Sequence, residues 1–162
     1  MGMICSLLAI PEPTAREVMA NPAGIRALLA ARTDPGRRLS LEKSWHGLHF
    51  ALTGSAYKGD ESLNFLVSGG EPIGNEDVGY GPARVLFTDG VARLNQALAA
   101  VDDESFQRRF NTPALEAANI YPQIWDEPLE ELLEEYGGYF QELKEFIRQA
   151  AKDRLSLVVT IR

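Results

Sequence analysis

From Asp126 to Asp153 the apolar side chains Leu129, Leu133, Tyr136, Phe140, Leu143, Ile147 and Ala150 return at helical spacing. That pattern predicts one long helix with a single buried stripe. Its first turns carry Glu127, Glu130, Glu131, Glu134 and Glu135, and its end carries Lys144, Arg148 and Lys152, the charge order a helix dipole favours. Directly behind it, Leu155 to Ile161 is a β-branched run that reads as a buried strand. The stripe has to be covered and the strand has to pair, so a chain containing both must lay helices against a sheet. Gly137-Gly138 falls inside the helix, where each glycine costs about 1 kcal/mol relative to alanine, and a kink or a close packing contact is expected there.

The remaining segments fit the same plan. Met3 to Ile10 is an apolar run ended by Pro11 and Pro13, and Ala83 to Phe87 is a second short one. Helix starts are signalled by Thr14 with Glu17 at capping-box spacing, by Asn21-Pro22, by Thr88 and by Thr112-Pro113. Asp34-Pro35-Gly36 is a turn by its residue types. Residues 62–67 suit a short helix or a strand equally. Ser68 to Pro82 is a glycine-rich loop, long enough to imply a functional or mobile segment. The fold class that follows is helix-rich α+β, a single domain over residues 1–162. A small sheet of about three short strands, near residues 3–10, 83–87 and 155–161, is covered by six or seven helices.

The segment from Leu39 to Gly54 holds both histidines of the chain and one of its two tryptophans. Ser40 reads as its N-cap and Gly54 as its stop. Leu41, Trp45, Leu48 and Leu52 form a buried stripe, and Glu42, His46, His49 and Thr53 share the edge beside it. Two imidazoles with a carboxylate one turn away suit a general base oriented by an acid, or a divalent metal. The pair lacks the internal glutamate of His-Glu-x-x-His and has no further histidine to complete a site, so no metal is expected and ordinary packing is the competing reading. Tyr80 and Arg84 flank the exit of the glycine loop, and Tyr121-Pro122-x-x-Trp125 sets more aromatics in a connection. Such side chains are typical anchors of a binding surface.

Several chemistries are excluded. Gly74 to Gly79 has P-loop glycine spacing, but Tyr80-Gly81 stands where lysine and a hydroxyl residue are needed, and Glu71, Glu76 and Asp77 would repel phosphate. Gly79-Tyr80-Gly81 lacks the third glycine of a dinucleotide fingerprint, so no nucleotide or other cofactor is expected. No Gly-x-Ser-x-Gly occurs, and Cys5 lies in a predicted core strand where a thiol is inert. With 16 basic against 23 acidic residues and a net charge of −7, the chain lacks the basic face that nucleic acid requires. The same charge suits a basic protein partner. No apolar run reaches the length of a membrane span, and one unpaired cysteine fits a reducing, cytoplasmic setting.

Five blocks stand in order along the chain: the opening Met-Gly-Met-Ile and Lys43 to Gly54, then Gly69-Gly70-Glu71-Pro72-Ile73-Gly74 with Val78 to Arg84, and finally Ile120 to Trp125. Together they resemble the bacterial YfbM-like family, a domain of unknown function, over essentially the whole length. The resemblance implies a cytoplasmic α+β domain and no particular activity.

Two functional expectations follow. The first is a non-enzymatic protein-interaction module, of inhibitor or immunity type, with a basic partner. The second is a small-molecule-binding domain or enzyme whose pocket joins Trp45, His46 and His49 on the 41–54 helix to Tyr80 and Arg84 of the 68–84 loop, with Tyr121 alongside.

Overall fold

A computed structural model describes residues 2–162. Strand β1 (Cys5–Pro11) leads into α1 (Glu12–Ala20) and α2 (Ile25–Ala30), and β2 (Arg38–Glu42) precedes α3 (Trp45–Thr53). After a long irregular stretch come β3 (Glu71–Pro72) and β4 (Arg84–Leu86), then α4 (Thr88–Ala99), α5 (Asp103–Arg109), α6 (Thr112–Ala117), α7 (Leu129–Lys152) and β5 (Leu155–Ile161). The architecture is α+β: seven α-helices and a five-stranded antiparallel sheet of order β2-β1-β5-β4-β3 among the described residues.

β1 and β5 pair along their whole length, from Cys5 opposite Ile161 to Pro11 opposite Leu155. They fill the centre of the sheet, which is why both read as apolar runs. Side-chain alternation then divides the core in two. Cys5, Leu7, Ala9, Leu86, Leu157 and Val159 face a large cluster built with α3 to α7. Leu8, Ile10, Val85 and Val158 face a smaller one, completed by Ala15 and Val18 of α1, Ile25 and Leu29 of α2, and Ile73 and Val78 of the glycine loop.

Five strands stand where three are expected. β2 escapes a hydrophobic reading because it is an edge strand of sequence Arg-Leu-Ser-Leu-Glu, with charges at both ends and one neighbour. Ser40, expected to cap the histidine helix, sits in this strand opposite Ser6. Glu42 turns the chain out of it with φ 48, beside a register shift at Cys5/Ser6, and α3 begins only at Trp45. Cross-strand pairing has overridden a local capping signal. β3 has two residues, too few for any pattern.

Other local signals are displaced in the same way. Thr14 lies inside α1, which starts at Glu12 behind Pro11, and Asn111 rather than Thr112 caps α6 by accepting from the Ala114 amide. Gly54 is the left-handed stop of α3 at φ 73, its amide bonded to the Phe50 carbonyl, as expected. In α7 the buried stripe is Leu132, Tyr136, Phe140, Leu143, Ile147 and Ala150, while Leu129 is 49% exposed at the first turn. The helix runs unbroken through Gly137-Gly138, and a Cβ on either glycine would meet nothing within 4 Å. No packing contact requires them.

Candidate functional site

Helix α3 is buried nearly all round, with Trp45, His46, Gly47, Leu48, His49, Ala51 and Leu52 inaccessible. Gly47 makes this possible. A Cβ there would lie 2.7 Å from Tyr136 Cε1 and 2.9 Å from Trp125 Cη2, so only glycine lets the helix sit flush on those rings.

His46 has no free nitrogen. The Tyr121 amide donates to Nδ1 at 3.0 Å, which fixes the ring proton on Nε2, and Nε2 donates to the Ala56 carbonyl at 2.8 Å. Burial lowers its pKa, and the Ala56 bond opposes that in part. The ring stacks on Trp45 at 4.9 Å between centroids, and Trp45 stacks on Tyr121 at 5.9 Å. Trp45 Nε1 donates to the Met3 carbonyl and the Met3 amide donates to the Tyr121 hydroxyl. Trp45, His46 and Tyr121 do come together, as a lock that ties the N-terminal segment to the 120–125 connection.

His49, one turn on, is fully buried, and neither ring nitrogen has a hydrogen-bond partner among the described residues. Its pKa is lowered to about 4, first by burial and also by the charge of Arg84, with the Lys58 backbone acting in the opposite direction. A neutral, enclosed imidazole is no general base for solvent-borne substrate. Burial likewise pushes the Cys5 thiol up to about 12, which leaves it protonated and inert. Glu42, expected on the helix beside His46, stands ahead of it and accepts from the Ser40 hydroxyl.

Arg84 is structural as well. Its Nη1 donates to the Phe65 and Gly69 carbonyls at 2.7 and 2.5 Å, and Nη2 to Leu66 at 2.9 Å, which organises residues 62–69 into turns in place of the expected helix or strand. Tyr80 is 57% exposed, its amide held by the Ile161 carbonyl. Arg84, opposite Val159, projects to the α3 side of the sheet, where its charge reaches His49, but the middle of the glycine loop does not follow it. Ile73 and Val78 pack into the smaller core, on the face of the sheet opposite α3.

A wide cleft lies elsewhere, at the β3–β4 edge. It is a cleft of about 410 Å³ between the 61–71 segment, the end of β4 and the first turns of α4. Gly70, at φ 82, lets the chain run against β4, where a Cβ would meet the Val85 carbonyl at 2.7 Å. Glu61, Glu71 and Asp89 border the cleft with exposed carboxylates, opposite Arg93. None of the three enters an ion pair among the described residues. At the cleft wall, Asn64 Nδ2 donates to the Gly59 carbonyl while its buried Oδ1 has no donor. Sequence reading passed over these residues because they come from three separate segments that only the β3–β4 pairing brings together. The one available signal was Glu71 beside Gly69-Gly70, which counted there only against phosphate.

Fold and cleft together describe an α+β domain. The chain belongs to the family described as Domain of unknown function (DUF1877), whose model matches residues 1–160. Among solved structures it is similar to the protein of unknown function YfbM from Escherichia coli. Identity there is 20% and the TM-score 0.76, over 99% of this chain and 100% of that one. This likeness shows the fold. No curated protein matches the chain. No helix among the described residues is long and apolar enough to cross a membrane.

Proposed function

We propose that this domain is a non-enzymatic interaction module that receives a basic segment of a protein partner in the β3–β4 cleft. The observation that carries this reading is the set of three exposed, unpaired carboxylates, Glu61, Glu71 and Asp89, around one concavity. Three carboxylates against the one Arg93 leave the concavity acidic, and a lysine- or arginine-rich segment offsets that excess while the overall charge of −7 steers its approach. The orphaned Asn64 Oδ1 at the same wall calls for a donor too. The sheet edge there ends in Glu71-Pro72, and both residue types discourage addition of a partner strand, so recognition is by inserted side chains. The free thiol of Cys5 fits action in a reducing bacterial cytoplasm.

The second expectation, a small-molecule pocket joining His46 and His49 to Tyr80 and Arg84, has less support. Both imidazoles lie in the core, Arg84 is spent on three backbone carbonyls, and Ile73 and Val78 of the loop pack on the other face.

The test is an NMR titration of the labelled chain with a synthetic lysine/arginine-rich peptide, against an acidic peptide of equal length. Shifts should cluster at residues 61–71 and 85–93, and Glu71→Lys combined with Asp89→Lys should weaken binding at least about tenfold. No saturable binding, or equal binding by the variant, overturns the proposal.

A further inference from the structure

At the opposite end of the sheet, the alternation of three strands gathers polar side chains on a face that is otherwise apolar. Ser40 of β2 lies opposite Ser6 of β1, and Ser6 lies opposite Thr160 of β5. Arg38 lies opposite Leu8, two residues along β1 from Ser6, and so projects from the same face. Arg162 exchanges backbone hydrogen bonds with Ile4 and extends the same alternate set past Thr160. These residues border a cavity of about 130 Å³, with Leu29 of α2 as an apolar wall.

In a chain of net charge −7, this cavity is locally cationic. Neither Arg38 nor Arg162 enters an ion pair among the described residues. Arg38 Nε donates to the Thr33 hydroxyl, and Nη2 donates to the Leu29 and Ala31 carbonyls at 2.7 and 2.9 Å. The guanidinium is thereby held in place, and no hydrogen bond engages its Nη1 among the described residues. Thr160 is 3% exposed and Ser6 is half-buried, and both line the cavity. Of the nearby carboxylates, one is paired with a cation and two accept from neutral donors. Glu42 accepts from Ser40, Glu76 pairs with Arg26, and Asp77 accepts from the Gly79 and Gly81 amides.

We infer that this cavity is a binding site for a phosphate-type oxyanion. Arg38 and Arg162 supply the charge and the hydroxyls of Ser6 and Thr160 supply neutral donors, the combination phosphate recognition uses. A volume of a few water-sized groups admits the phosphate alone and leaves any organic remainder in solvent beside Ser40 and Arg162, which are exposed. The site stands on the face opposite the histidines and at the other end of the sheet from the acidic cleft, so it is independent of the interaction reading.

The test titrates the labelled chain with inorganic phosphate, then with phenyl phosphate, with chloride at matched ionic strength as the control. Saturable shifts at the amides of Ser6, Ser40, Thr160 and Arg162 are expected with phosphate and absent with chloride. Arg162→Gln, at an exposed position where the fold is not at stake, should weaken binding at least about tenfold. Thr160→Val, which removes one hydroxyl at nearly constant shape, should weaken it by a smaller factor. Tighter binding of phenyl phosphate would assign the site to phosphorylated small molecules, and tighter or equal binding of inorganic phosphate to the free ion. Shifts that fail to saturate, or that are unchanged in Arg162→Gln, overturn the inference.

Discussion

On the face of the sheet covered by α3 to α7, most of the core polar side chains are spent inside the protein. His46 joins two backbone segments, Trp45 and Tyr121 bind Met3, Trp125 donates to the Ile120 carbonyl, and Arg84 gathers three carbonyls. On the face covered by the short helices α1 and α2, the sheet outruns its cover, and Ser6, Arg38, Thr160 and Arg162 border open space. The same sheet thus presents a closed side and an open one, and the amount of helix laid over each decides which. Residue type is a poor guide to function here: histidines on the thick side hold structure together, while serine, threonine and arginine on the thin side are left available.

His49 is the sharpest challenge to the closed side, because it lies there with both nitrogens unbonded. Its pKa is depressed from 6.5 to about 4, so between those values the unfolded chain binds the proton that the folded chain refuses. Stability is therefore complete above about pH 6.5 and falls as the pH drops toward 4, by about 3 kcal/mol in all. Denaturant melts across that range should show this slope, with His46 adding to it in the same direction. His49→Phe should flatten it and leave stability at neutral pH unchanged or higher, because no hydrogen bond is lost. A steep loss at neutral pH would show that the nitrogens are partnered after all.

The same substitution one turn earlier should do the reverse. His46→Phe leaves the half-buried Tyr121 amide and Ala56 carbonyl without their partner, costing about 1–3 kcal/mol. If His46→Phe melts like the parent, the lock does not hold. Gly47→Ala should destabilise by about 1–3 kcal/mol, since overpacking against Tyr136 and Trp125 outweighs the better helix propensity of alanine. Smallest of all, Gly137→Ala and Gly138→Ala should each raise stability by about 1 kcal/mol, because their helical backbone is open to solvent on that side. Thermal melts would measure both effects, and a loss at either α7 glycine would reveal a hidden contact.

Much of this was legible in advance. The α7 stripe from Tyr136 to Ala150, the apolar runs of β1 and β5, the stop at Gly54 and the burial of Trp45 follow from periodicity and residue shape, whereas at the first turns Leu132 is buried in place of Leu129 and Leu133. β2 and β3 were hidden because an edge strand needs only one partner and can be polar or very short. The start of α3 was misplaced because Ser40 and Leu41 carry equally good signals for a helix cap and for a strand, and only β1 alongside chooses. The proposed acidic cleft and oxyanion cavity escaped because each is assembled from three or more separate segments.

What the amino-acid order determined alone is therefore the inventory: α+β class, an acidic chain without a nucleophile motif or nucleotide loop, and the faces on which apolar side chains recur. Those properties depend on spacing and composition, which are local. Which imidazole is bonded, which arginine is unpaired and which carboxylates share a concavity were decided by the packing of distant segments. A polar group's availability depends on what the rest of the chain places against it, and no local pattern carries that information.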